Sequence, residues 1–222
     1  MFLLVMIGLF VLCSLVFASE KNSFSQYSPS MSPLGEKFSA DKAYGHIQHL
    51  AEKIGPRPAG SPKERQAAQY IYYILEQSGW QVTHQPFSKV VVNPNPLDPE
   101  HKVQVINSQN IIAELPGREP ETILLGAHYD SADVYAPGAL DNASGVGVLL
   151  EIARILATEN HEKTYQIVFF GAEEMGLVGS SYFVNQKDLS AVQWMLNLDM
   201  VGTPIEVDIA GKNSAPPELV LK

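Results

Sequence analysis

The 222-residue chain is 45% hydrophobic and 18% charged, enough apolar material for a sizeable buried core. Its net charge of −9 argues against nucleic acid as a partner, because a phosphate backbone requires a basic surface. The single cysteine, Cys13, excludes a disulfide framework and any zinc site built on thiolates.

The chain opens with an apolar run, residues 2–18, uninterrupted by charge and ending in the small residue Ala18. That predicts a signal peptide cleaved near Ala18 and export to the extracellular or periplasmic space. No basic residue precedes the run, so an uncleaved anchor that ties the domain to a membrane is the alternative. Residues 19–37 are rich in Ser and Pro and read as a linker or propeptide. The expected organisation is therefore 1–18, 19–37 and one domain over 38–222.

Residues 39–55 have helical spacing, with Ala43, Ile47, Leu50 and Ala51 on one side. In "SPKERQAAQYIYYILEQSG", Ser61, Pro62 and Glu64 form a capping box, in which serine and glutamate satisfy orphan backbone donors reciprocally. Ala67, Ala68, Ile71, Ile74 and Leu75 make the buried stripe, and Gly79 supplies the stop. "WQVTHQPF", "KVQVIN" and "NIIAELPG" read as three strands, with "NPNPLDPE" as a turn. "ETILLGAHYD" is a nearly continuous apolar strand, as expected when both sheet faces are covered. A helix over 143–160, a strand "TYQIVFFGAEE", a helix "VGSSYFVNQ" and a strand "VQWMLNLDMVG" follow, and "IEVDIAG" reads as one more strand. This alternation predicts a three-layer α/β/α sandwich with a mixed, centrally parallel sheet.

Three of the core strands end alike, in "GAHYD", "GAEE" and "LNLD", and Asp141 lies in a turn just before a helix. In open α/β sheets the carboxyl ends of central strands line one crevice. His128, Asp130, Glu173, Glu174 and Asp199 are thus expected at one edge, joined there by Asp141. Five carboxylates around one imidazole repel one another and would hold several protons. A pair of divalent metals removes the conflict, and zinc takes the His and carboxylate ligands on offer.

In their order and spacing, "GAHYDS", "PGALDNASGVGVLLEIARIL", "FFGAEEMGLVGS" and "NLDMVG" resemble the dizinc aminopeptidases of the secreted bacterial leucyl aminopeptidase and aminopeptidase Y type. "GPRPAGSPKERQAAQYI" is similar to that family's opening helix, and the likeness runs from about residue 38 onward. It implies a zinc-dependent exopeptidase fold and an aminopeptidase acting on peptides. It also implies roles: His128 and Asp199 on one zinc, Glu174 on the other, and Asp141 bridging both, with a cis peptide after it. Glu173 would be the general base, and Asp130, on the same strand face as His128, would orient the imidazole.

The family pattern has one further ligand, a histidine well downstream of "NLDM", but none follows His161 here. The resemblance therefore implies a catalytic domain lacking its C-terminal part, with one zinc site short of a ligand and a chain poorly soluble when expressed alone. His46 and His49, with Glu52 a further three on, have a spacing that suits ligands and equally a solvated helix face; His84 and His101 have no partner nearby. The sequon at Asn142 falls inside the proposed metal loop and is expected to stay unmodified. Two other functions remain open: a single-zinc acyl transfer like that of glutaminyl cyclases, and a non-catalytic binding or scaffold domain. Oligomeric state is not constrained.

Overall fold

The structure is a computed structural model that describes residues 37–92, 103–202 and 208–211. The apolar run 2–18, nearly all of the linker, the turn 93–100, His101 and the segment 213–222 lie outside the described residues. Among those described, no helix is long and apolar enough to cross a membrane.

Helix α1 spans Ala40–Gln48, and Ser39 caps it by accepting the Lys42 N–H at 3.3 Å. The coil continues as a wider π-type turn over His49–Ile54. Helix α2 is Pro62–Gln77, α3 is Ser144–Leu156 and α4 is Val178–Gln186. The strands are β1 Gln81–Val92, β2 Val103–Leu115, β3 Glu119–His128, β4 Lys163–Phe170, β5 Val192–Asn197 and β6 Asp208–Gly211. They form one six-stranded sheet in the order β1-β2-β4-β3-β5-β6. The centre, β4-β3-β5, is parallel; the β1–β2, β2–β4 and β5–β6 pairs are antiparallel.

The alternation of side chains across each strand builds two cores. Ile111, Ala113, Leu125, Ala127, Ile167 and Phe169 face α1–α3, where Leu50, Ile71, Leu75, Leu149 and Leu150 meet them. Ile112, Leu124, Val168 and Phe170 face the other way, against Phe183 of α4. The near-continuous apolar runs thus follow from a sheet covered on both faces, and the three-layer mixed architecture is as expected.

Two local expectations change. "KVQVIN" and "NIIAELPG" are one strand, β2, because Ser108 and Gln109 stay in an unbroken ladder opposite Phe87 and Pro86. Their polarity mimics a break, yet Ser108 is buried and its hydroxyl donates to Glu64. Pro86 is accommodated because β1 is an edge strand of this sheet. The capping box is only half formed. Ser61 Oγ accepts the Glu64 N–H at 3.0 Å, but the Ser61 N–H goes to the Pro58 carbonyl and the Glu64 carboxylate turns inward. "IEVDIAG" is a strand from Asp208 on; residues 203–207 lie outside the described set.

Candidate metal centre

The parallel register carries the chemistry. His128 ends β3 opposite Phe170, the last residue of β4, and the Tyr129 N–H bonds the Phe170 carbonyl at 3.0 Å. On the other side Gly126 pairs with Asn197, and the Leu198 N–H bonds the Gly126 carbonyl at 2.8 Å. The strand ends therefore bring His128, Glu173 and Asp199 to one edge of the sheet. His128 Nε2 lies 3.0 Å from Asp141 Oδ1, 3.5 Å from Asp199 Oδ1 and 4.0 Å from Glu173 Oε2.

Asp141 is delivered by a loop stapled at two points. Arg57 is completely buried and donates from Nε to the Tyr129 carbonyl at 2.6 Å, from Nη1 to Pro137 at 2.6 Å and from Nη2 to Gly138 at 2.8 Å. Gly138 is left-handed, φ 58°, which a Cβ disfavours. Past the cis Asp141–Asn142 peptide, the buried Asn142 amide donates to the Leu198 carbonyl at 2.8 Å and accepts the Gly145 and Met200 N–H groups. One side chain thus ties the Asp141 loop to the Asp199 loop. Gly145 is required there, since a Cβ would sit 2.5 Å from both Asn142 Oδ1 and the Leu198 carbonyl. The buried Asn142 amide is also closed to glycosylation in the folded protein.

The glutamate pair follows a left-handed Ala172, φ 54°, unusual for a residue with a side chain. Asp130, wholly buried, accepts the Glu173 N–H at 3.0 Å and the Glu174 N–H at 3.2 Å. Its expected partner was the imidazole. His128 Nδ1 lies 3.4 Å from Asp130 Oδ1, within ion-pair range but outside hydrogen-bond geometry, and it has no hydrogen-bond partner among the described residues. Asp130 thus faces His128 and raises its pKa while it holds the two glutamate N–H groups by hydrogen bonds.

The electrostatics call for a cation. Burial pulls the His128 imidazole down, but the carboxylates of Asp130, Asp141 and Asp199 outweigh it and push its pKa up to about 12. Burial and then the charge of Asp141 raise Glu174 to about 7, against the opposing pull of His128. Burial also raises Glu173, again opposed by His128. The bond from His128 lowers Asp141. Glu174 Oε1 and Asp199 Oδ1 are buried without hydrogen-bond partners among the described residues, which costs energy unless a cation satisfies them.

The donor set fits a metal. One atom each from His128, Asp141 and Asp199 lie within 4.8 Å of one another. Ligands about 2.0–2.1 Å from a tetrahedral zinc stand about 3.3–3.4 Å apart, and the 3.0 and 3.5 Å separations from Nε2 bracket that value. Glu174 is outside this three-residue set. A cleft of about 270 Å³ opens beside the carboxylates, with Phe170, Leu177 and Met195 as its apolar wall.

The other described histidines are engaged elsewhere. His46 Nδ1 pairs with the Tyr70 hydroxyl at 2.6 Å and His49 stacks on the Tyr70 ring. His84 stacks on Tyr72 and pairs with Gln109, and His161 Nε2 meets the Leu156 carbonyl at 2.7 Å. Sequence reasoning missed Arg57, Glu64 and Asn142 as supports of the site. For Arg57 the one local signal is an arginine between two prolines, a composition that otherwise reads as exposed loop.

Residues 110–216 match the profile of Peptidase family M28. Aminopeptidase YwaD of Bacillus subtilis (strain 168) is 45% identical over 105 residues, 45% of this chain and 23% of that protein. Leupeptin-inactivating enzyme 1 of Streptomyces exfoliatus is 31% identical over 169 residues, 72% of this chain and 35% of that protein. In both cases the match spans well under half of the relative's length. Among solved structures, a zinc aminopeptidase from Bacillus subtilis shares the fold at TM-score 0.66 and 24% identity, over 75% of this chain and 70% of that one. A glutaminyl cyclase from Porphyromonas gingivalis matches at TM-score 0.64 and 31% identity, over 77% and 61%. With the strand-end motifs inside the matched segment and the site they build at one sheet edge, residues 110–216 carry the pattern of Peptidase family M28, and the chain has the fold of a zinc aminopeptidase.

Proposed function

We propose that this chain carries the metal centre of a zinc-dependent aminopeptidase that hydrolyses N-terminal residues from peptides. The observation that supports it best is the meeting of His128, Asp141 and Asp199 with the Glu173 carboxylate 4.0 Å from the same imidazole nitrogen. Zinc, when bound, would polarise the scissile carbonyl and acidify the attacking water. In this reading His128 and Asp199 would hold one ion and Glu174 the other, and Asp141 would serve both. Glu173 takes the proton from the attacking water and returns it to the leaving amine. Its raised pKa suits a group that must both accept and release a proton. The cleft walled by Phe170, Leu177 and Met195 gives an apolar substrate side chain room beside the carboxylates.

The testing experiment is zinc content per chain by native mass spectrometry, with turnover of leucyl p-nitroanilide measured on the same sample. Two zincs with turnover support the full dizinc reading for this chain. One zinc or none, without turnover, would mean that the catalytic pair is not assembled here. Zinc uptake should also release protons, because His128 is protonated and Glu174 partly protonated at neutral pH in the metal-free state. Affinity should then fall as the pH drops through about 7, where Glu174 becomes protonated. Calorimetry in buffers of different ionisation enthalpy measures the release, and a buffer-independent heat would contradict it.

A second reading is favoured by the 31% identity to a glutaminyl cyclase, above that to the zinc aminopeptidase structure. A peptide with an N-terminal glutaminyl residue separates the two. Free glutamine reports hydrolysis; a pyroglutamyl peptide with released ammonia reports cyclisation. The His128–Asp141–Asp199 set, which would hold an ion besides the one Glu174 would bind, fits a two-metal peptidase better.

A further inference from the structure

Glu64 is 1% exposed and takes no part in the chemistry outlined above. Its carboxylate accepts the Gly60 N–H on Oε2 at 2.6 Å and, on Oε1, the Ser108 hydroxyl at 2.5 Å and the Ala172 N–H at 3.2 Å. A glutamate that served only the helix start would sit at the surface, since Ser61 already caps α2. This one is carried into the core, where a charge costs most, and it reaches the residue immediately before Glu173. The N–H groups of Ala172, Glu173 and Glu174 are then held in succession by two buried carboxylates, Glu64 on the first and Asp130 on the next two. Phe87, Val91 and Ile106 of the β1–β2 ribbon close over Ala172 and Val178. The turn is gripped from both sides.

We propose that Glu64 is a positioning residue for the Glu173–Glu174 pair: by holding the Ala172 N–H it fixes the left-handed turn from which both carboxylates leave the backbone. The inference rests on the reading of Glu173 as base and Glu174 as metal ligand, and it names the residue that aims them. Glu64→Leu removes all three bonds. Glu64→Asp keeps a carboxylate near Gly60 but withdraws it from Ala172. Glu64→Gln can still accept from Ser108 and Ala172 through its amide oxygen, while its NH2 takes the place of Oε2, so the Gly60 bond is replaced by a contact between two donors.

The experiment is hydrogen–deuterium exchange on the zinc-loaded full chain, with kcat and KM measured in parallel. In Glu64→Leu, exchange over 171–177 should rise by ~10-fold or more while α3 is unchanged. The kcat should fall ~10–100-fold with KM nearly constant, as misplacement of a catalytic group by about 1 Å does. Glu64→Gln should restore both to within ~3-fold, because it keeps the bond that matters. If Leu does not fold, Asp is read in its place and should show the same local loosening. Exchange that rises equally in α3 and in 171–177 would mean global destabilisation and overturn the proposal. So would a folded Gln variant as impaired as Leu, since charge rather than the Ala172 bond would then be at work. If the wild type turns nothing over, the aminopeptidase reading falls, and the exchange pattern alone decides whether Glu64 holds the turn.

Discussion

Glu173→Gln should lose turnover by ~10²–10⁴-fold, the usual contribution of a positioned general base, while keeping fold and metal. The substitution is nearly isosteric, and the loop that carries it is held by backbone bonds that do not involve the side chain: Asp130 to the Glu173 N–H, and the Glu173 carbonyl to the N–H groups of Gly176 and Leu177. Glu173 is 4.0 Å from His128 Nε2, farther than Asp141 and Asp199, and stands outside the His128–Asp141–Asp199 set. An amide there cannot take a proton from water. Zinc content and thermal midpoint should match the wild type while kcat falls. Near-normal turnover by Glu173→Gln would remove the base from the mechanism and shift attention to Glu174. Glu174→Gln, in contrast, should lose metal as well, because its buried Oε1 has no other partner among the described residues.

Arg57→Met should be the most damaging change outside the carboxylates, at about 3–5 kcal/mol of stability, the scale for removing one member of a buried charged network. Burial lowers the guanidinium to about 10, against the pull of Asp130 and Asp141, so it stays charged at neutral pH. Methionine fills the volume but leaves the carbonyls of Tyr129, Pro137 and Gly138 without their donor. It also removes the cation that faces Asp130 and Asp141 from behind the site. The thermal midpoint should drop by about 10 °C, and zinc affinity by ~10-fold or more, as for other groups that orient metal ligands. Arg57→Lys should recover only part of this, since one ammonium cannot reach three divergent carbonyls. A methionine variant within about 1 kcal/mol of wild type in a reversible melt would show that the loop holds itself.

What could be read from the chain was whatever depends on short-range pattern. The apolar runs before His128, Glu173 and Asp199 marked buried parallel strands, and a polar cluster just past each run marked the sheet edge. Residues 178–186 formed the expected helix to the residue. The supports were not legible, because each pairs with a partner far along the chain. Glu64 looked like a surface cap since the local rule needs only Ser61, and its partner Ala172 is 108 residues away. Ser108 and Gln109 looked like a break between strands because a buried hydroxyl and a turn hydroxyl have the same letter. The resemblance gave Asp130 to His128 and strand alternation put the two on one face, but the two backbone N–H groups that Asp130 also holds are 43 and 44 residues away and leave no local signal.

The two staples that start in residues 57–64 set an order of events during synthesis. Arg57 waits for Gly138, 81 residues later, and Glu64 for Ala172, 108 residues later. At ~5–20 residues per second a ribosome needs roughly 5–20 s to supply that second partner. Through that interval the nascent chain holds a guanidinium and a carboxylate bound for the core, Arg57 without the loop carbonyls that accept from it and Glu64 without the Ala172 N–H. His128 and Asp141 emerge before β5 and the Asp199 that follows it, so the three residues that would hold an ion cannot meet until the last of them has left the tunnel. If the set binds zinc as proposed, capture is a late step in biogenesis, and a nascent chain stalled before Asp199 should retain no zinc.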